Sequence, residues 1–231
     1  MPTTLIEFHG FPPLSPSSKA QAAKKWCPFI DAKCKKTRSG GACALQAPNG
    51  PPVIICPNRL YGNEFKVISR IADQAFGDNS ELITDVEAED RRRSGALTGR
   101  EVVVFGQGYS GEVGIKAPAE EGETGSFKVD FLLTKVGVDL QPTSIVAVEV
   151  QTIDTTNSYS KASDSYYKEL NYIGQWGEGT TNAGFNWENV TKRILPQIIY
   201  KGHALRRERL ANHGLFFVLP HPVLQKIRTR S

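Results

Sequence analysis

All four cysteines of this chain fall between residues 27 and 56, and none occurs elsewhere in its 231 residues. They sit in a stretch, 20–60, rich in Gly, Pro and Lys and with too little apolar periodicity to fold unaided. That stretch needs a staple. The pattern is Cys27-x6-Cys34-x8-Cys43-x12-Cys56. Four thiolates suit a tetrahedral site for a soft or borderline divalent ion, and on spacing the metal to name is zinc. Four protein ligands leave no open position, so such a metal would hold the loop folded rather than do chemistry. Four buried, unligated cysteines are the other reading of the same pattern. In a reducing compartment disulfides are not expected.

The compartment expected is the cytoplasm. The N-terminus, MPTTLIEFHGFPPLSPSSK, lacks a charged start followed by a long apolar run. No stretch reaches the roughly 18 apolar residues that span a bilayer. A formal charge of +4 permits a polyanionic partner without requiring one. The basic runs RRR at 91–93 and RRER at 206–209 are local patches that could neutralise phosphates or simply face solvent.

Beyond the cysteines, the apolar spacing of residues 64–76 predicts a helix. Residues 77–100 are polar and give little pattern. Strands are predicted at 100–107 and 112–116, joined as a hairpin through GYSG, and at 126–134 and 144–152. Helices follow at 157–170 and 188–210, the second kinked at Pro196, with a Gly-rich aromatic loop at 174–187 between them. A buried-type strand at 213–220 ends at Pro220. This order predicts an α/β fold with a mixed central sheet flanked by helices. It divides into an N-terminal cysteine module, 1–62, and a core, 63–231.

Two strands carry polar groups where apolar ones are expected. In VEVQT, residues 148–152, alternation puts Glu149 and Gln151 on one face and the valines on the other. In FKVDFLL, Asp130 is flanked by Val129 and Phe131. Carboxylates in a core need a cation or hydrogen bonds. If the strands are neighbours, Asp130 and Glu149 can converge on one Mg²⁺, an ion that takes oxygen ligands and keeps several waters. Strand-end carboxylates facing solvent would have the same spacing, so spacing does not decide.

The motifs themselves go further. CPF at 27–29, the lysine after Cys34, GAC ending at Cys43, CPNR at 56–59, FKVDF at 127–131 and VEVQTIDTTNSY at 148–159 resemble, in order, those of the NotI-type restriction endonucleases of the PD-(D/E)xK nuclease superfamily. Weaker similarity touches IEFHG at 6–10, REVVVFGQGYSGEVGIK at 100–116, TKRILPQIIYKGHAL at 191–205 and GLFFVLP at 214–220. The resemblance implies a PD-(D/E)xK core with a small N-terminal four-cysteine metal module. It implies Asp130 and Glu149 as magnesium ligands, Gln151 at the usual lysine position, and iron held by Cys27, Cys34, Cys43 and Cys56.

The resulting expectation is a type II restriction endonuclease acting on double-stranded DNA as a homodimer, since cutting both strands of a palindrome takes two active sites. Gln151 is neither a cation nor a strong base, so Lys128 or Lys161 is expected to restore positive charge. Candidate DNA contacts are Arg59, Arg91, Arg92, Arg93, Arg100, Lys116 and Lys161, with phosphate contact or surface charge as the alternative for each. Trp176, Phe185 and Trp187 line DNA or a dimer contact, or else anchor their loop. Two other functions fit parts of the pattern: a non-catalytic, metal-stabilised DNA-binding protein, and a structure-selective repair nuclease.

Overall fold

A computed structural model describes residues 2–34, 40–111, 114–116, 126–157, 159–169, 173–174, 177–178 and 180–229. The chain opens with β1 (Thr3–Phe8), α1 (Pro16–Lys24), β2 (Trp26–Cys27), β3 (Ala32–Lys33), β4 (Ala42–Gln46), β5 (Pro52–Ile54) and α2 (Pro57–Tyr61). Next come α3 (Lys66–Phe76), β6 (Glu81–Ile83), α4 (Asp85–Ser94), β7 (Glu101–Gly106), β8 (Gly114–Lys116), β9 (Ser126–Lys128), β10 (Phe131–Val136) and β11 (Pro142–Val150). The last part holds α5 (Ser160–Glu169), β12 (Ile173–Gly174), β13 (Gly177–Glu178), β14 (Thr180–Thr181), α6 (Trp187–Asn189), a π-helical turn (Val190–Ile194), α7 (Leu195–Leu205), β15 (Leu215–Val218) and α8 (His221–Arg228). Among the described residues no helix is long and apolar enough to cross a membrane.

These elements form two compact units interleaved in sequence. One comprises Met1–Phe65, Gln151–Ile194 and Leu219–Ser231; the other comprises Lys66–Val150 and Leu195–Val218. The first is built on an antiparallel sheet in the order β14-β1-β4-β5. Leu5, Phe8, Leu45 and Val53 fill its core. Helix α1 starts inside the Pro/Ser-rich segment 11–19, a composition that on its own favours a loop. The Ser15 hydroxyl accepts the Ser18 N–H at 3.1 Å, and Pro16 takes the first helical position, where no N–H is needed. The Ser18 hydroxyl then donates to the Phe8 carbonyl at 3.1 Å, tying the helix to β1.

The second unit holds a mixed five-stranded sheet in the order β15-β11-β10-β7-β6. The two outer pairings are parallel and the two inner ones antiparallel. Alternation sorts its residues. Val102, Val104, Leu133, Val146 and Val148 share one face and are fully buried. On the other face Val103 and Val136 pack with Ala88 of α4, and Ala147 packs with Ala204 and Leu205 of α7. Helix α3 packs against β6 through a stripe of Ile68, Ile71, Ala72 and Ala75.

Three expectations change. Of the segment 112–116, the described part, β8, pairs with β9 rather than β7, and Gly111 ahead of it makes a single antiparallel bridge to Gly106. The single strand expected at 126–134 is two, broken at Val129 and Asp130. The 188–210 helix is interrupted by a π-helical turn ahead of Pro196, which cannot donate the backbone bond an unbroken α-helix requires there.

Candidate active site

The break between β9 and β10 places Asp130. Phe131 is opposite Val148 and begins the β10–β11 ladder, so Asp130 comes immediately ahead of it. Glu149 shares with Ala147 the face covered by α7, and Asp130 stands just outside the ladder, by the C-terminal end of β11. The Asp130 carboxylate is fastened there: its Oδ2 accepts the Val150 N–H at 2.7 Å. Gly106 of β7 makes room for this turn, since a Cβ there would collide with the Phe131 ring and the Asp130 carbonyl.

Glu149 is 5% exposed. Its Oε2 accepts a hydrogen bond from Lys201 Nζ at 2.7 Å. Lys201 lies on α7, on the face that also presents Ala204 and Leu205 to the sheet. No basic residue was expected there. Of the two expected to restore charge, Lys128 is exposed on β9, two residues ahead of Asp130, and Lys161 is exposed on α5 of the first unit. A sequence cue to Lys201 exists. Ile194, Ile198, Lys201 and Leu205 follow helical spacing, so the lysine interrupts an apolar stripe. Gln151 is the first residue beyond β11, half-buried, at the point where the chain passes from the second unit to the first. Asp130 and Glu149 form an all-oxygen donor pair, as Mg²⁺ prefers, with room in its octahedron for waters and a phosphate.

The cysteines belong to the first unit. All four are free thiols; Cys27, Cys43 and Cys56 are buried and Cys34 half-buried. Cys27, Phe29 and Cys43 make one apolar cluster with Ile30 and Cys34 against it. The Gly41 N–H donates to Cys34 Sγ at 3.4 Å, and the Cys43 thiol donates to the Gly41 carbonyl at 3.2 Å. Burial pushes the Cys27 thiol up, and the neighbouring Cys56 and Cys34 thiols add to the shift. Four sulfurs so grouped have the chemistry of a soft-metal site. Their placement is looser than ligation requires: among the described residues no group of three or more His, Cys, Asp or Glu is arranged to hold a metal ion.

Beside them, His9 is held by Trp26 and Tyr167. Its Nδ1 lies 2.6 Å from the Trp26 carbonyl, which can only accept, so Nδ1 carries the proton and Nε2 accepts from the Tyr167 hydroxyl at 2.6 Å. Burial lowers the His9 pKa and keeps the ring neutral. Gly41, with φ at +89°, has no space for a Cβ against this ring.

The expected DNA contacts divide by their partners. Arg59 of α2 is bound to Glu7 at 2.6 Å and lies over the Phe29 ring. Arg91 is enclosed by Glu81 and Glu87, with Glu101 beyond them at 3.6 Å. Arg92 and Arg93 are exposed and share Glu89. Arg100 is exposed ahead of β7. The side chain of Lys116 lies outside the described residues, as does Trp176. Phe185 and Trp187 pack on each other, with Lys226 near the Trp187 ring.

Comparison with known proteins adds one match. A family model described as restriction endonuclease NotI matches residues 14–213. That span contains the four cysteines, Asp130, Glu149, Gln151 and Lys201. No curated protein matches the chain.

Proposed function

The chain belongs to the NotI restriction endonuclease family, a family of site-specific deoxyribonucleases that act on phosphodiester bonds, and we propose that it cuts a short palindromic site in double-stranded DNA with Mg²⁺ as cofactor. The observation that carries this reading is that two carboxylates attach to the end of β11, Asp130 through the Val150 N–H and Glu149 through its own strand position and Lys201. The fold it implies is a PD-(D/E)xK core within residues 63–231, with residues 1–62 as its cysteine module.

Asp130 and Glu149 would hold the ion. When bound, Mg²⁺ polarises the scissile phosphate and makes a water nucleophilic near neutral pH. The chain's own task is to hold these carboxylates in place beside apolar strands. Gln151 cannot take up a proton, so its role is to orient the attacking water through its amide. In-line attack leaves a 5′-phosphate and a 3′-hydroxyl. Two strands need two such sites, which makes a twofold homodimer the working form. Cys27, Cys34, Cys43 and Cys56 would close around one iron or zinc ion, and the protein would act in the cytoplasm.

The test is incubation with mixed-sequence DNA and Mg²⁺, followed by sequencing of the ends. Discrete, repeated end sequences are expected. A continuous smear would favour a structure-selective nuclease, and no cleavage at any Mg²⁺ concentration would reduce the chain to a DNA-binding protein. In the same assay, Gln151→Ala is expected to cut about 10–100-fold more slowly, the usual cost of losing an outer-shell orienting group.

A further inference from the structure

A buried lysine is costly unless something needs its charge. Lys201 and Glu149 have side chains only 14% and 6% exposed, and they meet at 2.7 Å. An ion pair withdrawn this far from water recovers little net stability, because desolvation offsets most of the attraction. Apolar residues would pack the same stripe of α7, which already carries Ala204 and Leu205 as buried positions. A second carboxylate is tied to the same strand, since Asp130 Oδ2 accepts the N–H of Val150, the residue after Glu149. Lys201 engages Oε2 of Glu149, a carboxylate with a second oxygen that can ligate a divalent cation. At position 151 an uncharged Gln follows the strand.

We propose that Lys201 is the positioning cation of the active site. It holds Glu149 oriented before a divalent metal binds, and it competes with that metal for the carboxylate. Its charge thus comes from a helix 52 residues further along the chain rather than from the strand that carries Glu149. This inference rests on the nuclease reading for its activity arm only.

Competition fixes the sign of the expected effect. Removing a positive charge in contact with a metal-binding carboxylate strengthens metal binding, whereas removing a merely structural group weakens it or leaves it unchanged. Lys201→Gln keeps a donor for Glu149 Oε2 and drops the charge. By calorimetry without DNA, it is expected to bind Mg²⁺ at least about 5-fold more tightly than the wild type. At saturating Mg²⁺ it is expected to cleave DNA about 10–100-fold more slowly, and Lys201→Arg is expected to recover most of that loss. Should Lys201→Gln fail to fold, the wild type carries the test: acetylation of Lys201, followed by mass spectrometry, is expected to speed up as Mg²⁺ is added and draws Glu149 away.

Unchanged or weaker Mg²⁺ affinity in Lys201→Gln overturns the proposal. So does cleavage by that variant within about 3-fold of the wild type, or an acetylation rate that does not respond to Mg²⁺. If the wild type binds Mg²⁺ as expected but cuts no DNA, the nuclease reading fails while the pairing of Lys201 with the metal-binding carboxylate stands.

Discussion

Glu101 and Glu149 of the second unit are both buried, and they are stabilised in different ways. Glu101 is satisfied locally: its carboxylate accepts the N–H groups of Thr98 and Gly99 and the Thr98 hydroxyl, all within three residues. Burial opposes its ionisation, but these hydrogen bonds outweigh burial and hold its pKa below the ordinary 4.5. A group with a lowered folded pKa contributes stability above its unfolded pKa and loses it as pH falls through the folded one. Glu101→Gln is therefore expected to cost about 2 kcal/mol at neutral pH and to flatten the loss of stability below about pH 4.5, as chemical denaturation at several pH values would show. Glu149 depends instead on remote groups. Asp130→Ala is expected to cut Mg²⁺-dependent cleavage by at least about 10³-fold, a loss of the kind seen when charge stabilisation is removed from an active site. DNA binding in Ca²⁺ is expected to persist, as a filter or mobility assay would read. Strand alternation is enough to single out both carboxylates, because the period of a strand is local. It does not point to Lys201, since a pairing across 52 residues exists only once the helix has docked.

Elements are legible in proportion to their apolar periodicity. Helix α3 has a clear stripe; α4, with Ala88 as its only buried residue, gives no stripe to read. Its punctuation is nevertheless present. Thr84 caps the Glu87 N–H at 3.1 Å, and Gly95 ends the helix with φ at +68°. Strand β6 has only three residues, too few to show alternation. Helix α4 and the turn after α7 carry the two basic clusters. On α4 the three arginines face glutamates of their own unit, and Arg92 and Arg93, being exposed, can exchange Glu89 for phosphate at small cost. Arg206, Arg207 and Arg209 are exposed in the turn that follows α7, the element that carries Lys201. Replacing these three by Ala is expected to weaken DNA binding uniformly across sequences. Every phosphate that the variant no longer neutralises is expected to flatten the plot of log affinity against log salt by about 0.9. A salt titration of the triple variant with an unchanged slope would remove this cluster from the DNA surface.

At the scale of the whole molecule, the chain crosses between its two units four times, at residues 65–66, 150–151, 194–195 and 218–219. This interleaving is not legible in the sequence, because composition changes only at the cysteine segment while the later crossings fall within or beside regular elements. The crossing after Val150 immediately follows the strand that carries Glu149. The cysteines lie in the first unit and the carboxylates in the second, so the two proposed metals separate experimentally. EDTA is expected to stop cleavage at once, with full recovery when Mg²⁺ is restored. A metal held by the thiols of Cys27, Cys34, Cys43 and Cys56 is expected to resist that treatment. Elemental analysis of protein purified without added metal is expected to give about one iron or zinc per chain. Cys43→Ser opens the site, and because the energy of a structural metal is folding energy, a loss of about 3 kcal/mol would lower Tm by roughly 6–12 °C for a chain of this size. A metal-free protein whose Tm ignores the substitution would return the four thiols to the role of ordinary core residues. The Asp130–Glu149–Lys201 cluster would be unaffected by that result.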